Sequence, residues 1–476
     1  MQWLRHINYL INRWRKLFKE VRGEFIKTYK VVGFDEKGVE KMGEKPSDFR
    51  YDTGPARVPW AAVGESYNAD DVIELIQFLF QKNANDYDNV LKEVEAAIRR
   101  LSNVSRPPGK LSLGTKVLEL EETVRDYLGV KHCAFLTNAT AGFEIAYKYA
   151  NLRPGDEVIA PSITFIATIS YPLSIGAKVV FADVDPRSIN MDPTDVERKI
   201  TEKTKVIIPV HIGGWPVDMD PIMRLAEKHD LVVIEDAAHA FGAEYKGKKV
   251  GTIGHFGVFS FHEVKNITSF GEGGIICTDL PIGEDFGKCR FLGLDLSRKI
   301  KNWLYDVVAL EGKYGPFVAG NSSSTEIQAI GLLQQMKRLD SIIEKRRRNA
   351  EYLVGRFKEN DAIILPPMDD HEIRSAHHLF LLQIDPKKAK GDIQVLKQKL
   401  TDRGITNIPH FAPLYKFELL KRMGYLVGEI EASCPHTEEV FNHRFTHLPL
   451  YGLNEEQMKY MADGVIEAVC EMQQDI

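Results

Sequence analysis

One lysine, Lys265, stands in the polar, glycine-closed turn of "FSFHEVKNITSFGEGG", Phe259 to Gly274, between two apolar runs. An amine at a strand end is either a solvated charge or a nucleophile aimed into a site. Three other stations follow other apolar runs. After "HCAFL" comes "TNATAGFEIAYKYA", where Ala139 and Thr140, behind Thr137 and Asn138, offer backbone amides and a hydroxyl at a helix start. Such a start stabilises a phosphate, although Thr and Asn cap helices everywhere. After "EVIAP" comes "SITFIAT", whose Phe165 is either a core residue or a face for stacking a flat heterocycle. "LVVIED" ends in Glu235 and Asp236, followed by Ala237, Ala238 and His239. A carboxylate at the buried end of a strand is costly unless a helix amide or a protonated ring nitrogen meets it. Ser260 precedes Lys265 in the same motif.

A phosphate cradle, a stacking ring, a buried Asp and a lysine are together what pyridoxal phosphate needs. The lysine closes a Schiff base with its aldehyde, and the Asp keeps the pyridine nitrogen protonated so that the ring can accept electrons. A merely solvated Lys265 leaves the other three stations unexplained.

The elements that must position these residues follow from the wider pattern. A chain of 476 residues suggests two lobes plus an extension. Net charge −5 argues against a nucleic-acid binder. Five scattered cysteines, Cys133, Cys277, Cys289, Cys434 and Cys470, make no disulfide framework and fit a reducing cytoplasm. No run is apolar enough to cross a bilayer. The first 30 residues space Trp3, Ile7, Leu10, Trp14, Leu17, Phe18 and Val21 as one helix face among basic residues. That helix suits either peripheral contact with an anionic membrane surface or packing on protein. Residues 31–59 read as a linker, and helices follow in "NADDVIELIQFLF" and "NANDYDNVLKEVEAAIRRL".

Beyond Leu111, seven short apolar runs alternate with helical stretches: "HCAFL", "EVIAP", "KVVFADV", "KVIIPVHI", "LVVIED", "GVFSF" and "GGIICT". Several are apolar on both faces, which predicts a mostly parallel sheet between helices, an α/β fold. The expected division is an N-terminal helix and linker at 1–59, a large domain at 60–340 with a helical insertion at about 83–110, and a smaller α+β domain at 341–476. In an open parallel sheet, ligands gather beyond the carboxyl ends of the strands, where all four stations fall.

From about Trp60 to Val469 the chain resembles the DegT/StrS-type aminotransferases of nucleotide-linked keto sugars. "NATAG" stands where that family has a small-residue phosphate loop, and "PSITFIAT" matches its stacking segment. "PVHIGGWPVDMDPI", "VIEDAAHAFGAEYKGKKVG", "FSFHEVKNIT…GEGG", "GNSSSTEIQAIGLLQ", "PHFAPLY" and "FNHRFTHLPLY" follow in order. The resemblance implies a fold-type I enzyme with a seven-stranded, mostly parallel sheet, pyridoxal 5′-phosphate as cofactor, and a homodimer with shared sites. It implies an amino donor, glutamate or glutamine, and a keto-sugar acceptor, in a ping-pong exchange. By the same token Phe165 stacks on the ring, Asp236 meets the pyridine nitrogen and His239 lies near the ring hydroxyl. Ser260 joins the phosphate site, Lys265 is the Schiff-base lysine, and Asn321 reaches the cofactor phosphate of the neighbouring subunit.

The chain departs from the family pattern in several places, among them the added segment 83–110 and the added first fifty or so residues. The turn "ITSFGEGG" is one residue longer, "NSSS" replaces an aromatic–Arg pair, and Tyr415 replaces a histidine. Related sugar dehydratases carry His at the position of Lys265, so the lysine favours transamination over that alternative. A second alternative is a membrane-surface module with a vestigial catalytic body. Cys434, His436, His443 and His447 lack metal-site spacing, and no metal is expected. "EKRRRN" reads as the solvated face of a lobe-joining helix, with diphosphate binding as its alternative.

Overall fold

The structure, a computed structural model, describes residues 67–105, 111–294, 307–407 and 411–474. The expected N-terminal helix and linker lie outside the described residues. The first two described helices are α1 (Ala69–Leu79) and α2 (Tyr87–Ser102). The start of α1 is set by a reciprocal cap. Asn68 accepts from the Asp70 and Asp71 amides, and Asp71 accepts from the Asn68 amide.

All seven apolar runs become strands of one sheet. They are β1 (His132–Leu136), β2 (Glu157–Pro161), β3 (Lys178–Ala182), β4 (Thr204–Ile207), β5 (Val232–Asp236), β6 (Phe256–Ser260) and β7 (Gly274–Thr278). Their order is β1-β7-β6-β5-β4-β2-β3. Only β7 runs against its neighbours; the pairs from β6 to β3 are parallel. The reason lies in the connection. No helix separates β6 from β7, so the segment carrying Lys265 reverses the chain instead of crossing over.

Helices α3 (Thr115–Leu128), α4 (Ala139–Tyr149), α5 (Ala167–Ser174) and α6 (Met219–His229) cover the sheet. Adjacent strand residues feed opposite cores, as the two-residue period requires. Val233, Phe259 and Ile275 pack with Leu120 and Val124, whereas Ile234, Val258 and Ile276 pack with Phe143 and Tyr147. Past the sheet run α7 (Glu326–Met336) and α8 (Leu339–Phe357). Glu326 is buried, and its carboxylate accepts from the Gly114, Lys116 and Val117 amides at the start of α3. A carboxylate there offsets the positive end of the helix dipole.

The last part of the chain builds β8 (Ile363–Ile364), β9 (Leu379–Ile384), α9 (Ile393–Asp402), β10 (Phe445–Pro449) and α10 (Glu455–Gln474). The three strands pair antiparallel in the order β8-β9-β10. Their core, with Leu353, Phe357, Phe380, Leu396 and Val465, draws only on residues from 350 onward.

Candidate active site

The four stations sit on one cavity of about 1030 Å³ beyond the carboxyl ends of the parallel strands. Small-molecule pockets are usually about 300–1,000 Å³, so the volume suits a cofactor with a substrate beside it. Ala139, Thr140, Phe165, Asp236, His239, Ser260 and Lys265 all line it. Asn321 does not. It is exposed, and its amide oxygen accepts from the Ser323 amide and hydroxyl.

At the start of α4 the Asn138 side chain accepts from the Ala141 amide at 3.0 Å. The amides of Ala139 and Thr140 have no preceding turn to supply carbonyls, and no acidic residue occupies the first turn. The end of β7 is pressed against this turn. A Cβ on Gly274 would lie 2.2 Å from the Asn138 carbonyl carbon and 2.5 Å from the Ala139 nitrogen. Only glycine lets the strand approach so closely.

Phe165 is 60% exposed, which removes the core reading of this ring. Three residues on, Thr168 is fully buried and donates from Oγ1 to Asp236 Oδ2 at 2.7 Å. The Ala238 amide donates to the other oxygen at 3.2 Å. Burial raises the Asp236 pKa, and these two bonds together with the Lys265 charge oppose the rise. The carboxylate is therefore desolvated and makes no ion pair among the described residues. Glu235 points to the opposite face of the sheet. It accepts from the Gly251, Ile253 and Gly254 amides at 2.5–2.8 Å and faces His211 Nε2 at 3.1 Å. Because His211 Nδ1 accepts from the Val217 amide, its Nε2 carries the proton and donates to Glu235. Glu235 is thereby satisfied as a structural group.

Lys265 is half-buried, and its Nζ makes no hydrogen bond or ion pair with the described residues. Burial lowers its pKa to about 8, against the opposing pull of Asp236. The next residue, Asn266, is tied down at both ends of its amide. Its Nδ2 donates to the Ala376 carbonyl at 2.7 Å, and its Oδ1 lies 2.9 Å from His378 Nδ1. The His378 ring stacks on His239 with centroids 4.6 Å apart. In the longer turn, Phe270 has a φ of 49° and packs on α7, where a Cβ on Gly331 would meet its ring at 2.5 Å. Ser269 is buried and donates to the Gln328 carbonyl.

One reading of the sequence needs correction. Arg346, in "EKRRRN", is not on a solvated face: it is 6% exposed and lines the cavity. Its neighbours Arg347 and Arg348 do face outward and pair with Glu344. Thr168 was not singled out from the sequence, and Arg346 entered only within a charged run for which anion binding was the alternative reading. For Thr168 the available signal was its place one turn beyond Phe165 in a strand-to-helix junction.

The residues present fit pyridoxal phosphate. A buried carboxylate that makes no ion pair among the described residues suits a pyridinium, an unengaged amine suits an aldehyde, and a helix start free of acidic side chains suits a phosphate. Fold and site together define a fold-type I pyridoxal phosphate enzyme. Residues 92–466 match the model of the DegT/DnrJ/EryC1/StrS aminotransferase family, and the chain belongs to that family. It is 36% identical over 308 residues to GDP-perosamine synthase of Caulobacter vibrioides, covering 64% of this chain and 78% of that one. It is 33% identical to UDP-4-amino-4-deoxy-L-arabinose–oxoglutarate aminotransferase of Shewanella sediminis, covering 75% and 91%. The putative sugar aminotransferase Spr1654 from Streptococcus pneumoniae, in its PMP-form, superposes with a TM-score of 0.67 at 27% identity, covering 76% and 94%. The protein is a pyridoxal phosphate-dependent aminotransferase.

Proposed function

We propose that this aminotransferase moves an amino group from glutamate or glutamine to a nucleotide-linked keto sugar, with Lys265 and Asp236 as its catalytic residues. The observation that carries the assignment is the meeting of the Lys265 amine and the Asp236 carboxylate on one cavity. The sugar acceptor is supported by the relatives' names, which specify GDP- and UDP-linked amino sugars.

When bound, pyridoxal phosphate supplies the electron sink that makes a carbanion beside nitrogen accessible. The chain's residues supply the rest. Ala139, Thr140 and Ser260 would hold the phosphate, Phe165 would face the ring, and His239 would border it. Thr168 orients Asp236 and favours its ionised form, which would meet the ring nitrogen. Lys265 Nζ, with a pKa of about 8, would be neutral often enough near neutral pH to take the proton from the donor's carbon and deliver it to the cofactor. Asn266 anchors the backbone behind that amine.

The remaining parts of the proposal concern assembly and setting. A homodimer with Asn321 completing the partner's phosphate site is supported by its exposed place outside its own cavity. A cofactor-binding domain at 60–340 and a smaller domain at 341–476 are supported by the separate core beyond residue 350. A cytoplasmic setting is supported by five unpaired cysteines. Among the described residues no helix is long and apolar enough to cross a membrane. Surface contact through residues 1–30 would show as vesicle binding that their deletion abolishes. The function is tested by screening amino donors for conversion of the cofactor's visible absorbance, then screening nucleotide-sugar acceptors by mass spectrometry. Absence of conversion by every donor rejects it.

A further inference from the structure

The least explained charge in the cavity is Arg346. Arg338, the residue that caps the start of α8, and Ser341, Ile342 and Arg346 within the helix all line the cavity, at spacings of three, one and four residues. Arg346 lies deepest. Its Nη1 donates to the His378 carbonyl at 3.0 Å, and its guanidinium carbon lies 4.7 Å from the centre of the Tyr451 ring. Its Nε has no hydrogen-bond partner, and no carboxylate pairs with it among the described residues. Burial holds its pKa down to about 10, so it remains charged at neutral pH. A guanidinium has five donors, and here one is bonded to a neutral carbonyl. Taking a cation out of water without an anion is expensive. A structural arginine would normally meet a carboxylate, as Arg347 and Arg348 do one and two residues on.

We infer that Arg346, assisted by Arg338 at the same cavity wall, is a substrate-anion subsite that binds a carboxylate or phosphate group beside the cofactor. The inference rests on the aminotransferase reading above and adds a residue that fixes substrate orientation. The aromatic ring of Tyr451 and the His378 carbonyl hold the guanidinium plane, leaving its remaining N–H groups for paired oxygens. Two substrates carry such oxygens, the amino-acid donor and the diphosphate of the acceptor.

The test uses the holoenzyme as wild type, Arg346→Gln and Arg346→Lys. Calorimetry measures binding of glutarate, an unreactive dicarboxylate, and of inorganic pyrophosphate, while the KM for each substrate is measured in parallel. Loss of the fork should weaken anion binding by ~10-fold or more in the glutamine variant, and by less in the lysine variant, which keeps the charge. Weakening confined to glutarate and the donor KM assigns the subsite to the donor carboxylate. Weakening confined to pyrophosphate and the acceptor KM assigns it to the acceptor. A purely structural arginine would lower the melting temperature and leave both dissociation constants unchanged, and that result overturns the inference. If Arg346→Gln does not fold, Arg346→Lys decides the matter by the same constants. Failure of every donor to convert the wild-type cofactor would reject the functional reading separately, since anion binding is measured without turnover.

Discussion

Replacing Thr168 with valine keeps the shape of a fully buried side chain and removes one hydroxyl. That hydroxyl is the closer of the two donors to the Asp236 carboxylate, at 2.7 Å against 3.2 Å for the Ala238 amide. A hydrogen bond to a charged group contributes about 1.5–3 kcal/mol, and its loss leaves a desolvated oxygen. The Asp236 pKa should therefore climb further above its already raised value. The carboxylate then holds the ring nitrogen's proton less firmly. Cofactor affinity at neutral pH should fall by about 10- to 100-fold, and the acid limb of the rate profile should move to higher pH. In the cofactor-free protein the raised pKa means that the folded state holds the extra proton. Stability from this group is full below the unfolded value of 3.8 and is lost as pH rises through the folded value. The variant widens that loss. The assay is a cofactor titration by visible absorbance from about pH 5 to 9, with Thr168→Ser as the rescue that restores the donor. A folded valine variant with wild-type cofactor affinity across that range would refute the role assigned to Thr168.

Other perturbations follow from the same geometry. Lys265 in the cofactor-free protein should acylate with a rate that rises through pH about 8 instead of 10.5, measured by peptide mass spectrometry, and Asp236→Asn should lower that midpoint further by removing the opposing charge. Because its folded pKa is depressed, the folded state carries the full cost of the Lys265 charge below about pH 8, and stability should rise as pH climbs from there to 10.5. Gly274→Ala places a methyl group 2.2 Å from backbone and should cost ~1–3 kcal/mol or more in stability, together with phosphate affinity; a normal cofactor titration would count against the cradle. Glu326→Gln removes the charge that caps α3 and should lower thermal stability by ~1 kcal/mol without changing cofactor affinity. Inactive Lys265→Ala and Asn321→Ala proteins, mixed and refolded together, should regain activity if sites are shared across a dimer, since one site of the mixed pair is then intact.

The strands were legible because their apolar runs carry both cores at once. Each run expected beyond Leu111 appears in the sheet, with ends displaced by two to five residues only in "KVVFADV" and "KVIIPVHI". Stations at strand ends were legible for a related reason: a parallel sheet brings residues far apart in sequence to one edge. Phe165 was ambiguous because an aromatic residue after a strand reads the same in a core and in a cavity. Arg346 was misread because charge runs on helices usually face water, and composition alone does not show which of three successive arginines turns inward. Glu235 and Asp236 stood side by side in the sequence, and strand alternation sends them to opposite faces.

From the sequence alone came the kinds of group required: a lysine after a strand, a carboxylate at a strand end, small residues opening a helix, and the family those motifs identify. These are local signals, carried by residue type and short spacing. Which carboxylate faces the cavity, the hydroxyl that steadies it, and the guanidinium that enters from α8 depended on contacts between segments up to 110 residues apart. Packing fixes such contacts through side-chain direction, helix rotation and exclusion of water, and no short stretch of chain encodes these by itself.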